Sequence, residues 1–238
     1  PDLGLDRGSV KAGAGKAAKR FKLAMARGRL TRRLASLSKS LVKTTSLVGK
    51  MGFVPQAMYA AKATGIAPTS LLDTRRMLAH AAGKAGRGRC LTTTFCLHYG
   101  QMDPAYSAII DLLKTWFHII AQSSARKRID RCWHDMYQDI METDSGDRWR
   151  TKVKGPITAV IFTMTDLGYI VDEPWTWYDD CGTQLEADPI TINDETDWSP
   201  FLKVVAASIT RQIWTKAAKH HCGKGLEATP DLSQIKGI

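Results

Sequence analysis

Apolar residues recur at helical spacing along most of the chain. Leu30, Leu34, Leu37, Leu41 and Val48 fall on one face of a helix predicted over residues 29–51. Arg29, Arg32, Arg33, Ser36, Lys39, Ser40, Lys43 and Lys50 fill the neighbouring arc. The leucine stripe is expected to bury against another element, leaving one basic face. Gly49 and Gly52 end this helix. Pro55 starts a short second helix through Lys62, closed by Gly65 and Pro68, and Thr69 or Ser70 can cap the next.

Further along, Asp103-Pro104 opens a long helix whose apolar face holds Ile109, Leu112, Leu113, Trp116, Phe117 and Ile120. Helices over residues 126–141 and 156–167 follow, the second bracketed by Gly155 and Gly168. Residues 174–192 change character. Trp175, Trp177 and Tyr178, then Leu185, Ile190 and Ile192, flank Asp179-Asp180-Cys181-Gly182, which reads as a β-hairpin with an Asp/Gly turn. Ser199-Pro200 opens a last helix through about His221. The expected fold is mainly α: a helical bundle of about eight helices with one small β-hairpin near residues 174–192. With 238 residues, 44% of them hydrophobic, the chain can bury a real core.

Charge changes this picture by dividing the chain. Between Arg7 and Leu72 there are fourteen Lys or Arg and no Asp or Glu. Residues 1–90 carry nineteen basic and three acidic residues, a net +16, whereas residues 91–238 carry fifteen and twenty, a net −5. One-sided charge of this kind is matched to a polyanion. Residues 1–19, with Gly4, Gly8, Gly13 and Gly15 among lysines, read as a flexible basic lead. Residues 20–100 read as a basic helical region and residues 101–238 as a helical domain carrying the hairpin.

The candidate phosphate contacts are Arg29, Arg32, Arg33, Lys39 and Lys43 on the basic helix, with Arg87 and Arg89 in the Gly/Arg loop over residues 83–89. Like charges along one helix face repel unless an anion compensates. Other chemistry has weaker support. Asp179-Asp180 on a hairpin resembles the metal-binding turn of palm polymerases, but the preceding segment reads as helix, and Asp-Asp also simply suits a turn. His220-His221-Cys222 with Cys181, or Cys132 with His134, lack the paired short spacings of a structural zinc site. The tryptophans at helical spacing read as core rather than as a platform for bases. No catalytic residue, metal or cofactor is expected. Five scattered cysteines fit a reducing compartment better than a secreted disulfide framework. No apolar run approaches the ~20 residues of a membrane span. An intracellular, nuclear or cytoplasmic location is expected, with no membrane partner. The first residue is Pro, so a fragment of a longer protein is expected.

Several pieces, in order, carry a family resemblance. They are the basic helix over 29–43; Val54-Pro55-Gln56-Ala57-Met58-Tyr59 with Gly65-Ile66-Ala67-Pro68; Arg87-Gly88-Arg89-Cys90; Asp103-Pro104-Ala105; Lys154-Gly155-Pro156-Ile157; Pro174-Trp175 with Gly182 and Leu185; and Gly225-Leu226-Glu227 with Asp231-Leu232. Their order resembles the segment that follows the reverse-transcriptase core in non-LTR (LINE-type) retrotransposon polyproteins, especially those of dinoflagellate genomes. Ala60 stands where that family often has Gly, and Tyr169 where it often has Trp. The resemblance implies that a polymerase domain with its catalytic aspartates lies upstream. This chain would then be the non-catalytic thumb-like and connecting part, holding template RNA or an RNA–DNA hybrid. The alternative is a protein-interaction scaffold docking on an acidic partner or another module of the same polyprotein.

Overall fold

The computed structural model describes residues 10–83, 90–98, 103–121, 126–142, 153, 155–188 and 195–219. The chain divides into two compact units. The first holds residues 1–60 and 68–104, and the second holds residues 61–67 and 105–238. The described residues are mainly helical, with a single two-stranded antiparallel sheet among them.

In the first unit, α1 runs from Val10 to Leu37. The basic lead is therefore helical from Val10 onward, and the expectation of a flexible segment through residue 19 is corrected there. Ala12, Ala14, Ala17 and Ala18, strong helix formers, offset Gly13 and Gly15. The helix expected over 29–51 is also interrupted. After Leu37 comes a 3-10 turn, Lys39–Leu41, then α2, Val42–Val48, then a π turn, Gly49–Phe53. The break sits at Ser38, whose hydroxyl accepts the Ser40 N–H (3.2 Å) and bonds the Ser40 hydroxyl (2.8 Å). Such local side-chain bonds compete with the helical ladder. The π turn adds a residue to its helical turn and so re-phases the chain, and Phe53 at its end is buried. Two short helices follow, α3 (Val54–Ala57) and, in the second unit, α4 (Ala61–Thr64). Next come α5 (Pro68–Ala81) and α6 (Leu91–His98).

The first unit's core contains Ala24, Phe53, Leu78, Ala79, Ala81, Ala82 and Phe95. It is built on the small-residue face of α1, not on its leucines. Ala24, Gly28 and Thr31 are buried, while Leu23, Leu30, Leu34 and Leu37 are 51, 59, 50 and 75% exposed. The expectation that Leu30, Leu34, Leu37, Leu41 and Val48 face the core is thus wrong: all five are exposed. Small residues win this face because they let two helix backbones approach closely. A Cβ placed on Gly28 would lie 2.4 Å from Met77 Cγ on α5. Gly28→Val is expected to force α1 away from α5 and cost about 1–3 kcal/mol by overpacking, read as a lower urea midpoint at unchanged slope. Thr45 closes the unit from the other side, donating its hydroxyl to the Ala81 carbonyl at 2.7 Å. Arg75 pairs with the buried Asp103 carboxylate at 2.7 Å, and its guanidinium lies 5.2 Å from the Phe95 ring centre.

The second unit is built from α7 (Pro104–Ala121), α8 (Arg126–Glu142), α9 (Pro156–Asp166), β1 (Thr176–Tyr178), β2 (Gln184–Glu186) and α10 (Glu195–Lys219). Its apolar faces converge on an aromatic core, as the helical spacing of Trp116, Phe117, Trp133 and Phe201 leads one to expect. Trp133 lies 5.5 Å from Trp116 and stacks on Trp177 at 6.0 Å, ring centre to ring centre. Trp177 meets Phe201 of α10 edge-on at 5.5 Å, so the aromatic side of β1 is covered by the last helix. The hairpin falls where the sequence places it, in the register Trp177 opposite Leu185. Gly182 sits in its turn at φ +82°, a conformation that favours glycine.

Candidate nucleic-acid interface

An α-helix turns 100° per residue, so α1 presents three faces. Ala24, Gly28, Thr31 and Ala35 form the face toward the core. Leu23, Leu30, Leu34 and Leu37 form a second. The third carries Lys22, Arg29, Arg32 and Arg33, all exposed. Lys43 is exposed on α2, beyond the break at Ser38, and Lys39 belongs to the 3-10 turn between the two helices. The structure therefore brings Arg29, Arg32 and Arg33 together on one helix and sets Lys43 on another. The expected single face through Lys43 is divided. Arg87 and Arg89 lie outside the described residues. Lys22 joins this face because α1 extends through residues 20–28, beyond the start of the helix that the leucine spacing predicts. It stands seven residues, two helical turns, before Arg29.

The electrostatics of this face differ from those of three described arginines elsewhere in the chain. Arg75, Arg126 and Arg211 each pair with an aspartate: Asp103, Asp188 and Asp180. On the flank of α1, Arg20 stacks over the Tyr59 ring at 3.8 Å, and Arg27 donates to Gln56 at 2.8 Å. Among the described residues, no carboxylate pairs with Lys22, Arg29, Arg32, Arg33 or Lys43. Arg32 also acts on the inner side. Burial first, then the Arg32 charge, pushes the His80 pKa on α5 below its ordinary value. A second positive charge beside Arg32 is thereby disfavoured. Three exposed cations on adjacent turns are suited to phosphate oxygens, which Arg forks contact without reading sequence.

The hairpin carboxylates have structural partners. Asp179 is buried and accepts the backbone N–H groups of Cys181 (2.9 Å) and Thr183 (2.7 Å), which shapes the turn. Asp180 accepts from Arg211 Nε (2.8 Å) and from the Ser208 hydroxyl (2.6 Å), latching the hairpin to α10. The Arg211 bond is the main reason that the Asp180 pKa lies below its ordinary value. Asp179, Asp180 and Cys181 lie close enough to share a cation, but these carboxylates are already bonded to the chain itself. Cys132 is half-buried on α8 and His134 exposed two residues on. His220, His221 and Cys222 lie outside the described residues.

The latch gives a pH prediction. Tyr169 bonds the buried Ser208 hydroxyl at 2.9 Å, and burial raises its pKa from 10 to about 12. The folded state therefore holds this proton where the unfolded chain releases it. The associated stability is whole below pH 10 and is lost as pH rises from about 10 to 12. Tyr169→Phe is expected to remove that share of the alkaline loss. The difference between wild-type and variant urea midpoints, followed across this range, isolates it from lysine titration.

No protein-family model, curated protein or solved structure matches this chain. None of the described helices is long and apolar enough to cross a membrane.

Proposed function

We propose that this chain is a non-catalytic, nucleic-acid-holding part of a mobile-element RNA-directed DNA polymerase. It grips the phosphate backbone of template RNA or of an RNA–DNA hybrid. The observation that carries the reading is the outer face of α1: Lys22, Arg29, Arg32 and Arg33 exposed together with no carboxylate partner among the described residues. The absence of acids from Arg7 to Leu72 and the resemblance to the region after a reverse-transcriptase core support it. The upstream polymerase domain of the same polyprotein is its expected neighbour and supplies the catalysis.

The test is anisotropy of labelled single-stranded RNA and of an RNA–DNA hybrid, titrated with the 238-residue chain at several salt concentrations. Four or five neutralised phosphates give a slope of log K against log salt of roughly −3 to −4.5. Different RNA sequences are expected to bind alike, because backbone contacts carry no sequence information. Weak binding that does not change with salt would remove the proposal.

A further inference from the structure

The leucine face of α1 is a separate surface from the cationic one. Leu30, Leu34 and Leu37 follow one another by four and three residues, and Leu23 stands seven before Leu30. The four-three alternation of Leu30, Leu34 and Leu37 is that of a coiled-coil seam, which Leu23 continues on one line while Arg27 and Arg20 stand in line with Leu34 on the other. The stripe is narrow, roughly 60° of arc, since Leu34 and Leu37 at its two edges are three residues apart, and about 21 Å long. All four leucines are at least half exposed, and the helix that carries them is already anchored by its small-residue face. Burying such a stripe stabilises a contact by about 25 cal/mol per Å² of apolar area removed from water.

Charge decides what can cover it. Lys19 and Arg33 line one edge of the stripe, Arg33 falling between Leu30 and Leu37. Arg20 and Arg27 line the other. From Val10 to Leu37 there is no Asp or Glu. A second copy of α1 would set these cations against one another. A membrane surface is matched by a broader apolar face, a hundred degrees or more, than this seam offers. We infer that the leucine face of α1 is a docking seam for an acidic amphipathic helix of a partner protein. Its apolar residues would meet Leu23, Leu30, Leu34 and Leu37, and its flanking carboxylates would meet Lys19, Arg33 and Arg27. The leucines of this seam are no part of the RNA-holding face, although Arg33 borders both.

The experiment uses the full chain and two designed four-heptad peptides with Leu at both seam positions. One has Glu at the flanking positions and the other Lys, so neither pairs with itself through those flanks. Fluorescence anisotropy of the labelled peptides is expected to show the Glu peptide binding at least ~10-fold more tightly than the Lys peptide. Leu30→Ser with Leu34→Ser is expected to weaken the Glu peptide by at least ~10-fold, while RNA affinity and the thermal midpoint stay at wild-type values. Equal binding of both peptides, or undiminished binding by the double variant, would overturn the inference. So would a wild-type dimer that the double variant dissolves, or leucine-dependent binding to phosphatidylserine vesicles without peptide binding. Loss of RNA affinity in the double variant would assign the leucines to the RNA surface and also overturn it. The RNA reading is tested separately, because its salt slope is measured without peptide.

Discussion

Replacing Arg29, Arg32 and Arg33 together by Glu is expected to weaken RNA binding by on the order of 100-fold or more at moderate salt. Each charge-assisted phosphate bond contributes about 1.5–3 kcal/mol where it is well formed, less on an open face, and the new carboxylates repel phosphate. The salt slope should also become shallower, by roughly 0.7 to 0.9 for each phosphate that is no longer neutralised. Stability should change little, because these side chains are exposed and have no carboxylate partner among the described residues. Relief of like-charge repulsion should, if anything, raise the thermal midpoint slightly. Charge neutralisation to Gln at the same three positions separates the removal of attraction from added repulsion: it should give an intermediate affinity and the same reduced slope. If the triple Glu variant binds RNA as tightly as wild type, this face of α1 is not the site.

The second large effect lies in the core. Trp133→Ala is expected to cost about 3–5 kcal/mol, as for other buried large-to-small changes. Trp133 is fully buried between Trp116 and Trp177, and its indole N–H donates to the Val171 carbonyl at 2.8 Å. Truncation leaves a cavity at the centre of the second unit and an unpaired carbonyl beside it. Trp133→Phe restores most of the volume but not the hydrogen bond, so its cost is expected to be smaller, about 1–3 kcal/mol. Urea unfolding of both variants checks the order. RNA affinity per folded molecule should be unchanged in each. A tryptophan that served as a platform for bases would show the reverse: weaker affinity at unchanged stability.

The second unit was largely legible in the sequence. In α7, α8 and α10 the apolar faces are wide, and Trp116, Phe117, Trp133, Trp198 and Phe201 mark the side that is buried. The hairpin was legible for a different reason. Asp179 to Gly182 between alternating segments names a turn, and the turn fixes the register that sets Trp177 opposite Leu185. The turn role of Asp179 was legible, but the role of Asp180 was not. Their separate partners, backbone N–H groups for Asp179 and Arg211 with Ser208 for Asp180, come from 28 to 31 residues away in the second case. Nothing local in the sequence joins those positions.

The first unit shows where periodicity misleads. A hydrophobic stripe says that a face avoids water, and Leu30, Leu34 and Leu37 form such a stripe. It does not say whether the face is covered by the same chain. The packing of α1 runs instead through Ala24, Gly28 and Thr31, residues too small or too polar to stand out in an apolar pattern. Gly28 in particular looks like a weak point in a helix until Met77 is placed against it.

From the sequence alone follow the mainly helical class, the hairpin, and the division of charge that sets fourteen cations and no acid between Arg7 and Leu72. Each depends on local propensity or on composition, which the order of residues specifies directly. Only the tertiary structure decided which side of α1 is inside. That choice depends on how closely two backbones can approach, and this is a property of the pair of helices. Once the small-residue face was buried, the arginines and the leucines were left outside as two separate surfaces on one helix.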